Sequence, residues 1–388
     1  VQRQKGVNEL KRKPIWRQQF QAHGKLANDE RNSIDSFLNW AVDNPVSYNT
    51  PFNKLILFIN PLLAFTTIFL ISIGYAGIGL FILFLLVPFV IVGRKINTIK
   101  TLHNQLSKKT EILAKYSDMF GMIEKESFES DLLNKQKSII SASPKSTQNA
   151  IKKLSETLAA FDYRLNLLVG IILNIFFLWD ILQCIRLEKW KHTYGNEMTS
   201  AFEALFTFDE LNSLAGFAFS RTKSVFPEFS NEEFVLEAND AKHPFISEKN
   251  NVGNEISING WGKFQIITGA NMAGKSTYLR TVGINMVLAM TGAPVLAKSF
   301  VLKPIDIFTG IKTTDSLQDG ESYFFAELKR LKEIINTLEK DSKLFIILDE
   351  ILRGTNSRDK HNGSEGLVKQ LIKLNASGMI ATHDLALG

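Results

Sequence analysis

Hydrophobic and polar positions divide this chain into three textures. From Val1 to about Trp40 it is polar and basic, with Lys11, Arg12 and Lys13 together, and its apolar residues are spaced as helices space them. From Leu55 to Gly93 no charged residue occurs, and Leu, Ile, Phe and Val fill a run roughly twice the length of one bilayer crossing, which takes ~20 residues. Gly74, Gly77 and Gly79 lie near its middle, so the run predicts a transmembrane helical hairpin, Leu55 to Ile73 and Ile78 to Gly93. The alternative is a hairpin buried in a large soluble core. A signal peptide is disfavoured, because the run is internal and too long. Lys54 at one end and Arg94, Lys95 and Lys100 at the other place both ends in the cytoplasm by the positive-inside tendency.

A second apolar stretch, Leu165 to Trp179, lies between Arg164 and Asp180 and contains Asn166 and Asn174. Its length predicts a buried core helix, with a third crossing as the alternative. Residues 96 to 163 are rich in Lys, Glu, Leu and Ser and predict cytoplasmic helices broken near Ser141-Ala-Ser-Pro144. From about Phe234 the third texture begins: short β-rich runs, separated by Gly, Asn and Asp, alternate with helical patterns, as in a sheet-based nucleotide domain. The resulting division is 1–54 basic helical, 55–93 membrane hairpin, 94–233 helical, and 234–388 α/β.

Composition narrows this picture. The 388 residues are 45% hydrophobic and 22% charged, which excludes a disordered or collagen-like chain. With Cys184 alone, no intrachain disulfide and no Cys-rich zinc site can form, as suits a reducing compartment. A net charge of +6 favours phosphates or an anionic membrane face without choosing between them. The Lys11–Lys13 cluster reads as a solvated face before it reads as a nucleic-acid patch. The chain opens on Val1 and closes on Gly388 just after a motif, which reads as a fragment cut at both ends.

The chemistry concentrates in the third texture. Phe264-Gln-Ile-Ile-Thr268 reads as a buried strand, followed by Gly269-Ala-Asn-Met-Ala-Gly274-Lys275-Ser276-Thr277 and a helical stretch from Tyr278 to Met290. This is a P-loop in its strand–loop–helix context. The glycines let the backbone wrap closely, successive N–H groups and the helix N-terminus cradle phosphate oxygens, Lys275 reaches the β- and γ-phosphates, and Ser276 offers its hydroxyl to Mg²⁺. Leu344-Phe-Ile-Ile-Leu348-Asp349-Glu350 is an apolar strand ending in two acids. Beside a P-loop, Asp349 is placed to hold Mg²⁺ through water and Glu350 to orient and deprotonate the attacking water; alone, the pair would read as a solvated strand end. His383 follows another apolar stretch, and in this order reads as a γ-phosphate sensor, where a lone histidine would read as structural.

These residues resemble the ATPase domain of the MutS family of DNA mismatch repair proteins, over roughly Phe234 to Asp384. Thr268 to Arg280 is similar to T-G-P-N-M-G-G-K-S-T-Y-L-R, with Ala270 and Ala273 in place of Pro and Gly, and Asn271 and Met272 are its diagnostic part. Asp349 to Thr355 resembles D-E-I-G-R-G-T with Leu352 for Gly, Lys242-His-Pro244 resembles R-H-P, and Asp315 to Glu327 resembles D-D-L-x-x-G-x-S-T-F-x-x-E. Upstream, Asp209 to Ala215, and Arg3-Gln4 with Glu9-Leu10, resemble pieces of the family's helical core, so the hairpin falls inside the core and lever region, as in a membrane-anchored branch of the family.

The resemblance implies an α/β P-loop ATPase domain of the ABC type, preceded by an α-helical core and lever region that carries the hairpin. It implies ATP and Mg²⁺ as cofactors: Gly269, Asn271, Met272, Gly274, Lys275, Ser276 and Thr277 bind nucleotide, Ser276 and Asp349 hold the metal, and Glu350, Lys275 and His383 are catalytic. It implies a homodimer in which Ser322 meets the partner's nucleotide and Gly354 to Asp359 couple the sites. Asp384 stands where the family usually has an aromatic residue. DNA is the implied partner, through backbone phosphates at Lys108, Lys109 and neighbours; mismatch reading is not supported, since no reader domain precedes Val1. The location implied is the cytoplasmic (inner) membrane, held to lipid by residues 55–93, with the ATPase domain in the cytoplasm. Two competing readings are an ABC-transporter ATPase and a nucleotide-regulated membrane scaffold. Against the transporter, the spacing from Lys275 to Asp349 leaves no room for an inserted helical subdomain, and no L-S-G-G-Q occurs.

Overall fold

The computed structural model describes residues 1–27, 31–43, 47–106, 109–142, 146–231, 233–270, 273–310, 323–340, 343–352 and 357–384. The chain forms two compact units, Lys13–Asn212 and a second made of Val1–Arg12 with Ser213–Gly388. Their boundary falls inside one long helix, Trp179–Ser220.

The first unit is helical: α2 (Pro14–Ala27), α3 (Arg31–Val42), α4 (Pro51–Ser72), α5 (Ile78–Gly93), α6 (Ile96–Leu106), α7 (Thr110–Lys125), α8 (Asp131–Ser141), α9 (Thr147–Phe161), α10 (Leu167–Phe177) and most of α11 (Trp179–Ser220). α1 (Gln2–Lys11) belongs to the second unit. Aromatic residues fill the polar half of the helical unit, where Trp16 stacks on Phe20 at 5.1 Å and Trp40 on Trp190 at 6.0 Å. Lys109 is buried there, with its ammonium on the Ser36 hydroxyl at 2.5 Å. This corrects the assignment of Lys109 to a phosphate backbone; Lys108 lies outside the described residues.

α4 and α5 coincide with the two apolar halves of the uncharged run. Thr50 caps α4, its hydroxyl accepting from the Asn53 amide at 3.2 Å, and Pro51 occupies the first turn, where no backbone donor is needed. α4 is long and apolar enough to cross a membrane. At the charged end, Lys95 donates to Asn53 Oδ1 at 3.3 Å and lies over the Tyr48 ring at 5.2 Å.

The stretch expected as a buried core helix is not buried. Of α10 only Gly170 is enclosed, while Leu165, Leu167 and Leu168 are about 70% exposed (69%, 74% and 73%). Its length and apolarity match a core helix, but it packs one side on α4 and α5 and leaves the other open.

The second unit holds two sheets. Its mixed sheet runs β1 (Glu228–Phe229), β5 (Ser299–Leu302), β2 (Val235–Ala241), β3 (Asn254–Asn259). A parallel sheet runs β4 (Phe264–Thr268), β8 (Ser377–Thr382), β7 (Leu344–Asp349), β6 (Asp306–Gly310), with α12 (Lys275–Thr291), α13 (Tyr323–Leu338) and α14 (Ser357–Lys373) between its strands. β4, expected to be buried, lies at the edge of this sheet among the described residues and is half-buried, because β8 covers only one of its two sides.

Strand periodicity sorts the parallel sheet into two layers. Phe345 and Ile347 of β7, with Met379 and Ala381 of β8, pack on Leu279, Val282 and Met286 of α12. Ile346 and Leu348, with Ile380, pack on Leu331 and Ile334 of α13 and Leu371 of α14. Asp349 shares the parity of Phe345 and Ile347, so it ends its strand on the side of α12. α1 joins this unit at the far end of α12, where the Arg3 guanidinium donates to Thr291 O at 2.6 Å.

Candidate nucleotide site

The site is set by strand ends that stop level. In the parallel ladder Thr268 pairs with Thr382 and Asp349 with Ala381, so the residues that follow β4, β7 and β8 emerge side by side. The β4–α12 loop turns into its helix at Gly274, whose φ of +89° is a left-handed conformation that an L side chain adopts only with strain.

Lys275, the first residue of α12, is buried, with 8% of its surface exposed. Its ammonium donates to the carbonyls of Gly269 at 2.6 Å and Ala270 at 3.0 Å, and to Nδ1 of His383 at 3.4 Å. The opposite ring nitrogen of His383, Nε2, lies 2.9 Å from Glu350 Oε1. An ammonium only donates, so its contact with Nδ1 puts the ring proton on Nε2, which then donates to the carboxylate. Glu350 follows β7 with a φ of +52°, and its amide is held by Ala381 O at 2.8 Å. Lys275, His383 and Glu350 therefore form one hydrogen-bonded chain across three strand ends.

Asp349 is 6% exposed, and its Oδ1 has no hydrogen-bond partner among the described residues. A buried carboxylate oxygen left unpaired is costly. At the end of a strand on the α12 side of the sheet, an orphaned oxygen of this kind matches the oxygen-rich, incompletely protein-bound environment that Mg²⁺ takes, and the half-buried Ser276 in the first turn of α12 offers a hydroxyl of the kind such a site uses. The residues present thus fit the metal. Gly269, Gly274, Ser276 and Thr277 lie on the loop and first turn as expected. Asn271, Met272 and Ser322 lie outside the described residues, as do Gly354 to Asn356.

Several residues of the site have partners that their motifs alone do not show. Glu327 of α13 accepts the Leu352 amide at 2.8 Å and so pins the segment after the two acids. His361 Nδ1 lies 2.6 Å from Asp384 Oδ2, which gives the unusual Asp384 a partner on α14. Asn285, wholly buried in α12, donates to Lys242 O at 3.0 Å and accepts from the Leu296 amide at 3.1 Å. An open groove of about 910 Å³ lies beside the P-loop, lined among others by His243, Ile246, Val252, Gln265 and Tyr278. The Lys242-His-Pro244 motif was its only signal. Burial, then the charge of Arg280, holds His243 below the ordinary histidine value, and burial pushes the Tyr278 phenol up.

Comparison with known proteins agrees with this geometry. Residues 265–388 match the family model described as MutS domain V. The chain is 34% identical to the DNA mismatch repair protein MutS of Thermotoga petrophila over 186 residues, 47% of this chain and 23% of that protein. It is 33% identical to the protein of the same description from Aquifex pyrophilus over 259 residues, 65% of this chain and 28% of that one. The corresponding Streptococcus pyogenes protein is 31% identical over 211 residues, 53% of this chain and 24% of that one. The matched part thus spans about a quarter of the length of these relatives. Residues 265–388 thus resemble MutS domain V, a P-loop ATPase domain, and the chain is similar to MutS proteins over the matched part.

Proposed function

We propose that this chain binds and hydrolyses ATP at the P-loop site while tethered to a membrane by α4 and α5, as a MutS-like mismatch repair ATPase. The observation that carries the enzymatic part is the buried Oδ1 of Asp349, which has no hydrogen-bond partner among the described residues, at a strand end level with the loop whose Gly269 and Ala270 carbonyls, with His383, hold Lys275. Mg²⁺, when bound by Ser276 and Asp349, supplies charge neutralisation for the phosphates.

This chain's residues then divide the work. Lys275 exchanges its bonds to Gly269 and Ala270 for β- and γ-phosphate oxygens, and the loop amides with the start of α12 take the remaining charge. Glu350 orients a water and accepts its proton as the water oxygen bonds to the γ-phosphorus and the bond to the β–γ bridging oxygen breaks, giving ADP and phosphate. His383, bonded to both Lys275 and Glu350, relays the presence of the γ-phosphate to the base. The groove by His243 and Tyr278 offers an apolar wall for the nucleoside. A partner copy contributes Ser322 to the site.

The membrane part is supported by the match of α4 and α5 to a run without charges and by the cluster of Lys54, Arg94 and Lys95 at its open end. DNA as partner rests on the likeness to DNA mismatch repair proteins. The deciding experiment compares Lys275→Ala with Glu350→Gln. The first is expected to lose ATP binding, and the second to retain ATP while turnover falls by about 10²–10⁴-fold. Wild-type turnover in both variants would overturn the reading.

A further inference from the structure

We infer that α10 is a membrane-embedded re-entrant element that enters the bilayer beside the hairpin from the cytoplasmic side and returns without crossing, its open face covered by lipid acyl chains. The inference rests on the membrane reading of α4 and α5 and extends it to a segment whose sequence predicts a core helix.

Three observations carry it. Arg164 and Asp180, which bracket the segment, form a salt bridge at 3.2 Å with side chains only 11% and 3% exposed. A crossing would separate these two residues by the ~30 Å of a bilayer core, so both ends of α10 lie on one side. The segment between them is uncharged, and its eleven residues span only about 16 Å as helix, half a bilayer core.

Three of its helix-end groups are met by asparagine side chains. Asn166 Oδ1 accepts from the Val169 amide at 3.2 Å at the start of the helix. At the other end, Asn60 of α4, wholly buried in the uncharged run, donates to the carbonyls of Ile175 at 2.8 Å and Phe176 at 3.0 Å. Asn174 Oδ1 accepts from the Asp180 amide at 3.0 Å. Internal satisfaction of helix-end groups is what hydrocarbon demands and water does not. The bonds from Asn60 also fix the end of α10 against α4, so its exposed Leu168, Ile171 and Ile172 continue the apolar surface of Leu62, Phe65 and Phe69 on the hairpin.

The test places single nitroxide labels by Leu168→Cys, Phe69→Cys and Lys152→Cys in the full chain reconstituted in phosphatidylethanolamine/phosphatidylglycerol vesicles. Native Cys184 is buried and leaves the labelling background low. Collision with lipid-soluble oxygen is compared with collision with a water-soluble nickel chelate. The inference expects Leu168 to follow Phe69, with nickel broadening lost and oxygen broadening retained, while Lys152 shows the reverse. Nickel access at Leu168 with Phe69 protected would overturn α10 insertion and leave the hairpin standing. Nickel access at both would overturn the hairpin with it. Leu168 shielded from both reagents would mean that protein covers this face, which also overturns the proposal.

Discussion

Leu352 and Gly363 share one space. Leu352, which stands where the MutS motif has glycine, takes a φ of +56°, and a Cβ built on Gly363 would lie 2.6 Å from its Cδ1. The strain of a left-handed leucine, about 1–2 kcal/mol, is held by the Glu327 bond to its amide and by burial at 7% exposure. Gly363→Ala gains the ~1 kcal/mol by which alanine exceeds glycine inside a helix but forces the Leu352 Cδ1 methyl to give way, so the single change is expected to be near neutral. With Leu352→Gly in the same chain the methyl is gone, and the gain from alanine should be expressed in full. Thermal unfolding of the four members of this double-mutant cycle measures the coupling, and additive effects would remove it.

His383→Ala breaks the chain from Lys275 to Glu350 without touching the loop. ATP affinity is expected to change little, while turnover falls by about 10-fold or more, because the base loses its orienting donor. A rise in KM at unchanged kcat would assign His383 to binding alone.

Asp349→Asn removes a buried charge whose Oδ1 has no partner among the described residues. In EDTA the variant is expected to unfold at the same temperature as the parent or higher. Addition of Mg²⁺ with ATP should stabilise the parent and leave the variant unmoved. Equal stabilisation of both by Mg²⁺-ATP would exclude Asp349 as a metal-binding residue.

His243 gives a pH signature. Burial and Arg280 hold its folded value below the ordinary 6.5, so the unfolded chain takes up the proton first as pH falls. Stability contributed by neutral His243 is complete above about pH 6.5 and is lost as pH drops from there toward the folded value. His243→Gln should flatten the stability profile in that window and leave it unchanged at pH 8. A profile identical to the parent's would show that another group titrates.

Membrane tethering is checked most simply by fractionation. The full chain is expected to stay with membranes through an alkaline carbonate wash and to leave them only with detergent. Recovery in the soluble fraction would remove α4 and α5 from the bilayer.

Local signals carried much of this structure. The apolar run Leu344 to Leu348 and the two acids behind it located β7, and the side of the sheet on which Asp349 ends came only with the fold. The glycine–lysine–serine spacing located the start of α12, and the absence of charge between Lys54 and Arg94 located both helices of the hairpin. What escaped was decided by contacts distant in the chain. An apolar segment such as Leu165 to Trp179 has the same pattern whether it is buried in protein or faces an apolar solvent, and the bonds from Asn60 that place it are made 115 and 116 positions away. Leu352 reads as a lone departure from the motif until the fold sets it against Gly363. Lys109 reads as a surface charge because Ser36, its partner, comes from another helix.

The strand that launches the P-loop has as its neighbour β8, and the Lys263 amide donates to the hydroxyl of Ser377, 114 positions later. A nascent chain halted anywhere before β8 leaves β4 without a ladder and the loop without its histidine. Completion of the loop's surroundings is thereby deferred until synthesis has passed Thr382, which makes this unit slow to assemble, as pairings of such long range are.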